Sequence, residues 1–315
     1  MAEKFTKGDT PLLSHIAEYK FLTVEQLVAL SQRSTQVIRR RLRFLANEGL
    51  VAMGERGFGH GPGRRENIII LTEKGMKLLG DNGIISSHAA YVTGKTPDSM
   101  FLDHDLLVNW FFIHLLQIGR DNLLLNTQHL TTSSHSLKEG NSDKPVLMER
   151  FADGASSDET YTMIPDGVFI ITNKESEKSL LFFLEVDMGT ETLQSTKLNP
   201  RDVRQKIINY QTLFHENQYK RYEKIFNTDL NGFRLLFLAN DLVRMKALCD
   251  LVQRMPPSDF LWVTDQEQMF SHGVSAEIWA RGGRNDRKAE SILGPKLAFE
   301  CFWDELKQKY GQGVI

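Results

Sequence analysis

The sequence predicts a mixed α/β protein, α+β overall, in two parts: a small unit of helices with a strand pair, then a larger α/β domain with a mixed central sheet. Three observations predict it. Residues 1–80 carry 13 Lys+Arg against 8 Asp+Glu, and residues 81–315 carry 25 against 32, so a basic unit precedes a mildly acidic body. In the basic unit, capped helical periods give way to two short runs rich in Leu, Ile and Val around a Gly-rich loop. In the body, apolar strand runs alternate with helical ones.

The chain has 315 residues, a length that suggests about two domains. Hydrophobic residues make up 41% and charged residues 25%, an ordinary balance for a globular protein. No apolar run approaches the ~20 residues of a membrane span, and the first residues lack the apolar core of a signal peptide. A cytoplasmic protein with no membrane partner is expected. Cys249 and Cys301 make no disulfide framework, and no Cys/His spacing suggests zinc.

The domains are expected at 1–82, a linker at 83–99, a body at 100–280 and a C-terminal basic loop and helix at 281–315. Pro11–Tyr19 has helical spacing behind Thr10, with Pro11 suited to the first helical position. Thr23 caps a second helix, Val24–Leu30. Ser34 or Thr35 caps a third, Gln36–Glu48, whose apolar stripe is Val37, Ile38, Leu42, Leu45 and Ala46. Gly49 ends it, a residue type suited to a left-handed C′ position. Leu50–Met53 and Asn67–Leu71 read as strands around the Gly-rich loop 54–65, and Thr72 caps a further helix. This is a winged helix-turn-helix layout, a DNA-binding motif.

Eight arginines and no lysine lie between Arg33 and Arg65. Arg suits both bidentate phosphate contact and guanine reading. The DNA-contacting set is Arg33, Arg39, Arg40 and Arg43 around the third helix, with Arg56, Arg64 and Arg65 in the wing. Arg39 and Arg43 share one side by helical period, and Arg41 points toward its own protein. Read alone, a three-Arg helical run is a solvated face; it is the agreement of helix order, caps, wing and charge that points to duplex DNA. The stretches Leu22–Leu27 and Leu42–Val51 resemble winged helices of the multiple-antibiotic-resistance and arsenic-repressor type.

Phe101–Gly119 reads as a buried helix, Asn122–Leu130 as a strand, and Thr131–Thr160 as a polar insertion with room for a strand near Pro145–Phe151. Pro165–Ile171 and Leu180–Asp187 form a hairpin. Asp166 opens its first strand, and Glu185 and Asp187, on one face by the two-residue period, close the second. Three carboxylates there repel unless a cation sits among them, and hard ions such as Mg²⁺ take oxygen ligands. A long helix from Lys197 or Arg201 to about Tyr222 follows, then strand 233–239, helix 241–255, strand 260–264 and a short helix at 265–270. Arg281–Lys288 forms a second basic loop, and the aromatic segment 292–303 calls for a cover, such as a second copy of the chain.

The element order and the acids at Asp166 and Glu185 resemble the restriction-endonuclease-like fold of the PD-(D/E)XK nuclease superfamily. That resemblance implies Asp166 and Glu185 as metal ligands and a Lys two residues past the Glu. Asp187 stands at that place instead, so Lys197, Arg201, Arg204 or Lys206 would have to supply the cation. With Pro165-Asp166-Gly167, Phe183 to Glu191, Lys206 and Tyr210, roughly residues 10–280 resemble the replication-relaxation family of plasmids and mobile elements. Three functions follow as expectations. The first is a sequence-preferring duplex-DNA-binding protein, dimeric, acting in replication, mobilisation or regulation, and needing no cofactor. The second is an Mg²⁺-dependent nuclease or nickase using Asp166, Glu185, Asp187 and Lys197 or Lys206. The third is a docking module for replication or mobilisation proteins.

Overall fold

The computed structural model describes residues 5–54, 67–85, 99–130, 147, 149–152, 160–195, 202–256 and 259–294. It divides into two units, Met1–Ile113 with Leu130–Met148, and His114–His129 with Glu149–Ile315. Linker residues 86–98 and the C-terminal residues 295–315, with the expected aromatic segment, lie outside the described residues.

In the first unit, α1 (Asp9–Tyr19), β1 (Phe21–Thr23), α2 (Val24–Ser31), α3 (Thr35–Asn47), β2 (Val51–Gly54), β3 (Ile68–Leu71) and α4 (Glu73–Asp81) follow in order. The three strands make an antiparallel sheet in the order β1-β3-β2, with Leu22 opposite Ile69 and Met53 opposite Ile69 on the other side. β2 and β3 are the feet of the wing. Caps fix the helix starts. Thr23 and Gln26 form a reciprocal capping box, and Ser34 and Thr72 accept from the backbones of Val37 and Gly75. Gln32 and Gly49 take left-handed conformations, which close α2 and reverse the chain after α3. Leu12, Leu13, Ile16, Leu27, Ile38, Leu42 and Leu45 fill the space between the helices.

The start of α1 differs from expectation. The helix begins at Asp9, two residues before Pro11, and the Asp9 carboxylate accepts from the Thr6 amide and hydroxyl, at 2.6 and 2.8 Å. Thr10 lies inside the helix, so it is not the cap. A long helix α5 (Ser99–Asp121) then crosses from residues of the first unit to residues of the second. Its buried Asn109 donates to the Phe21 carbonyl at 2.9 Å, and Gln26 donates to the Leu106 carbonyl at 2.9 Å. These bonds satisfy polar groups that burial would otherwise penalise.

The second unit holds a six-stranded mixed sheet in the order β11-β10-β9-β8-β7-β4. Its strands are β4 (Leu125–Leu130), β7 (Gly167–Asn173), β8 (Lys178–Asp187), β9 (Phe233–Ala239), β10 (Leu261–Asp265) and β11 (Ala280–Arg281). β7 and β8 pair as the expected hairpin; β8, β9 and β10 run parallel; β11 returns antiparallel. A separate pair, β5 (Glu149–Ala152) and β6 (Thr160–Met163), includes the extra strand expected near Phe151. The Phe183 ring packs on Tyr210, Tyr222 and Phe233 with centroids 4.8–5.4 Å apart, all fully or nearly fully buried. Rings buried this way contribute ~1.5–3 kcal/mol each.

The single long helix expected after the hairpin is instead three pieces: α6 (Val203–His215), a 3-10 turn (Gln218–Lys220) and α7 (Arg221–Phe226). Asp202 caps α6, and Asn217 adopts φ 57°, a left-handed conformation that a continuous helix does not admit. Among the described residues, the remaining helices are α8 (Leu242–Gln253), capped by Asp241, and α9 (Gln266–His272), capped by Asp265. Three of the basic residues of the expected loop at 281–288 are paired: Arg284 and Arg281 reach Asp259, and Lys288 reaches Glu277.

Candidate functional site

Among the described residues, two places carry chemistry. The first is the outer face of α3. Because Ser34 caps the helix and Ile38, Leu42 and Leu45 face inward, the helical period leaves Thr35, Gln36, Arg39, Arg40, Arg43 and Asn47 exposed. Arg43 Nε lies 3.4 Å from the Arg39 carbonyl, one turn back. Arg33 is half-buried and donates to the Gly8 carbonyl at 3.1 Å, so part of its guanidinium holds α1. Arg41 turns inward as expected: it meets Asp9 in a two-point pair at 2.8 and 2.6 Å, with its guanidinium 4.5 Å from the Phe44 ring centre. Burial alone would raise the Asp9 carboxyl, yet the bonds from Arg41 and Thr6 outweigh it and hold the carboxyl below its ordinary value. Wing residues Arg56, Arg64 and Arg65 lie outside the described residues.

The second place is the end of the β7–β8 hairpin. Gly167 pairs with Leu184, so Asp166 falls beside Glu185, as the hairpin reading requires. Asp166 Oδ2 accepts from the Val186 amide at 2.7 Å, clasping the neighbouring strand. Glu185 is only 2% exposed, beneath α6. One of its oxygens accepts from the Tyr210 hydroxyl at 2.5 Å, and the other lies 3.0 Å from the Lys206 ammonium. Lys206 also stands 3.1 Å from Glu191, so one ammonium bridges two carboxylates.

Burial raises the Glu185 carboxyl most; Lys206 opposes this, the Asp166 charge adds to it, and the balance stands at about 7. Burial would lower the Lys206 ammonium, but the charges of Glu185, Asp166 and Glu191 outweigh it and hold the ammonium well above its usual value. The Tyr210 hydroxyl is pushed far up by burial and by Glu185. The physical picture, among the described residues, is a half-buried cation that keeps its proton among acids that compete for it.

Asp187 does not join this cluster. Its carboxylate pairs with Arg244 of α8 at 2.9 Å and accepts from the Gly189 amide at 2.7 Å. Arg244 also donates to the Glu191 carbonyl at 2.6 Å, fixing the turn that presents Glu191 to Lys206. The two-residue period correctly puts Glu185 and Asp187 on one face, but different helices claim them. Of the basic residues weighed for the site, Lys206 arrives, Arg204 is exposed, and Lys197 and Arg201 lie outside the described residues. Tyr210 entered the sequence reading only through the family resemblance, and its place four residues after Lys206 on α6 is the signal that could have joined it to the site. No sequence signal pointed to Arg244 or to the Glu191 contact.

The donor chemistry of Asp166 and Glu185, hard oxygens, is of the kind a magnesium ion uses. Their arrangement does not fit one. Both Glu185 oxygens are engaged, Lys206 already holds the cation position, and among the described residues no group of three or more His, Cys, Asp and Glu is disposed to hold an ion. A cavity of about 1210 Å³ opens at the opposite strand ends, near Phe214, Phe260 and Arg234, away from the acids. No helix among the described residues is long and apolar enough to cross a membrane.

Among solved structures, a MarR family transcriptional regulator from Silicibacter pomeroyi DSS is similar at 27% identity over 36% of this chain and 71% of that one, with a TM-score of 0.23. No curated protein matches. The family model described as "Replication-relaxation" matches residues 13–228, running from α1 through α3 and the β7–β8 acids to α7. That match covers more than half of the chain, and the protein belongs to the replication-relaxation family.

Proposed function

We propose that this protein binds duplex DNA through the exposed face of α3, and does so with sequence preference in replication, mobilisation or regulation of a plasmid or mobile element. One observation carries the reading. Arg39, Arg40 and Arg43 face solvent on the second helix of a capped helix-turn-helix, and Arg41 is committed to Asp9. A helix held by its inward arginine presents the outward ones in a fixed register, as groove reading requires. Family membership supports an action on DNA. Thr35 and Gln36 sit at the helix start, where base edges are read, and the arginines lie one turn on. Two copies on a two-fold site are the expected stoichiometry, and the wing arginines Arg56, Arg64 and Arg65 are assigned to the flanking backbone. The test is a salt titration of binding to duplexes drawn from the mobile element. Equal affinity for wild type and Arg39→Ala/Arg43→Ala would remove the reading.

A second reading, DNA cleavage, draws on α6, which delivers Lys206 to Glu185 in place of the cation that Asp187 cannot provide on β8, and it requires that Lys206 give way to a metal ion once DNA is bound. Supercoiled and linear DNA incubated with Mg²⁺ or Mn²⁺ tests it. Cleavage by wild type that is absent in Asp166→Ala would support it, and no cleavage by either would end it. A third reading, docking of replication or mobilisation proteins, would be favoured by partner capture without DNA.

A further inference from the structure

We propose that Lys206 is the resident cation of the acid cluster and that, in the protein without DNA, it keeps divalent ions off Asp166 and Glu185. The argument is one of geometry and charge and is independent of DNA binding by α3. The ammonium lies 3.0 Å from Glu185 and 3.1 Å from Glu191. Its side chain is 18% exposed and that of Glu185 is 2% exposed. An ion approaching Glu185 would therefore meet a like charge already in place, with the second carboxylate oxygen held by Tyr210.

Two positive charges cannot share so small a space without strong repulsion in a poorly solvated site. The lysine has the advantage of being tethered. Its attachment to α6 carries no association cost, whereas a free ion must lose part of its water shell, and magnesium does so reluctantly. Glu191 strengthens the hold from the solvent side, and Arg244 keeps Glu191 there through the backbone. Removing the ammonium reverses the balance. Glu185 would then need either a proton or another cation, and one or two carboxylates with waters suffice for a hard divalent ion.

The experiment is thermal unfolding of the full chain with and without millimolar MnCl₂ at neutral pH, supported by direct Mn²⁺ binding measured through its paramagnetic signal. Wild type should show no Mn²⁺-dependent shift beyond that of the Asp166→Asn variant. Lys206→Met should gain a shift of several degrees, lost again in Lys206→Met/Asp166→Asn. An Asp166-dependent shift in wild type would overturn the proposal, because the ion would then bind beside the lysine. So would a folded Lys206→Met that ignores Mn²⁺. If Lys206→Met fails to fold, Lys206→Gln replaces it, and the wild-type titration still decides whether the ion is excluded. Loss of DNA binding in Arg39→Ala/Arg43→Ala is read separately and does not move this result.

Discussion

Arg41 and Asp9 meet in a two-point ion pair, 2.8 and 2.6 Å, that joins the start of α1 to the middle of α3. Asp9 is fully buried and Arg41 is 8% exposed, so neither charge has water to fall back on. Arg39, Arg40 and Arg43, within two positions of it, are exposed. One arginine run thus holds two jobs divided by the helical period.

That division gives the first prediction. Arg41→Ala should destabilise the first unit by about 3–5 kcal/mol, the usual consequence of leaving a buried partner charge alone. Arg39→Ala should change stability by no more than ~0.5 kcal/mol, as surface changes usually do. Urea unfolding followed by circular dichroism distinguishes the two. Equal losses would mean that the period does not separate the roles.

DNA binding gives the second. Each phosphate contact removed lowers the slope of log K against log salt by about 0.9. Arg39→Ala/Arg43→Ala should therefore flatten the slope by about 2 and weaken binding at low salt by tenfold or more. Gln36→Ala, at the start of α3, should narrow the difference between preferred and random duplexes with little effect on the slope. Fluorescence anisotropy across a salt series reads both.

The third concerns pH. The folded protein holds the Glu185 proton more tightly than the unfolded chain does, with its carboxyl raised from 4.5 to about 7. Its contribution to stability is therefore fully present below about 4.5 and is lost as pH rises through about 7. The span corresponds to at most about 3 kcal/mol. Asp9 acts in the other direction: its lowered carboxyl adds stability above its ordinary value, 3.8, that is lost on further acidification. Denaturant midpoints from pH 4.5 to 7.5 should fall less steeply in Glu185→Gln than in wild type. Parallel curves would count against the raised carboxyl.

The fourth tests the second acid. Asp187 is 5% exposed and pairs with Arg244, itself 15% exposed as a side chain. Arg244→Ala should cost about 3 kcal/mol, the low end for a broken buried pair. It should also loosen the turn after β8, since the Glu191 carbonyl loses its donor. Hydrogen exchange at residues 189–193 should rise well above the global change. Exchange that follows global unfolding alone would deny Arg244 this local role.

The fifth tests packing at α4. A Cβ on Gly75 would stand 2.2 Å from the Leu50 carbonyl oxygen, a backbone atom with nowhere to move. Gly75→Ala should therefore destabilise by about 2–4 kcal/mol despite the higher helix propensity of alanine. Thermal unfolding would show it as a loss of several degrees, whereas Gly80→Ala, which meets nothing within 4 Å, should not lower the midpoint.

Local rules explain why so much was legible in advance. The caps Thr23, Ser34 and Thr72 and the stop at Gly49 depend on residues within a few positions of one another, and the side of α3 that holds Arg41 and the β7–β8 hairpin follow from helical and strand periods. Helical and strand periods are properties of the chain alone, so they also placed Glu185 and Asp187 on one face. The break at Asn217 escaped because the apolar spacing runs through it and only a left-handed residue interrupts the helix. The helix start at Asp9 escaped because the Asp9 carboxylate is fixed from two directions: by the Thr6 amide and hydroxyl just before it, and by Arg41, thirty-two residues away.

The sequence by itself determined the winged helix, the acids on the hairpin, a short set of basic residues to serve them and membership in the replication-relaxation family, because each is written in short-range pattern. Only the tertiary structure decided how the charges are shared. Glu185 goes to Lys206 and Tyr210 on α6, and Asp187 goes to Arg244 on α8, through contacts spanning 21 to 57 residues. A buried carboxylate takes whichever donor the packing of helices on the sheet brings within about 3 Å. No periodicity in the chain specifies that choice; the packing does.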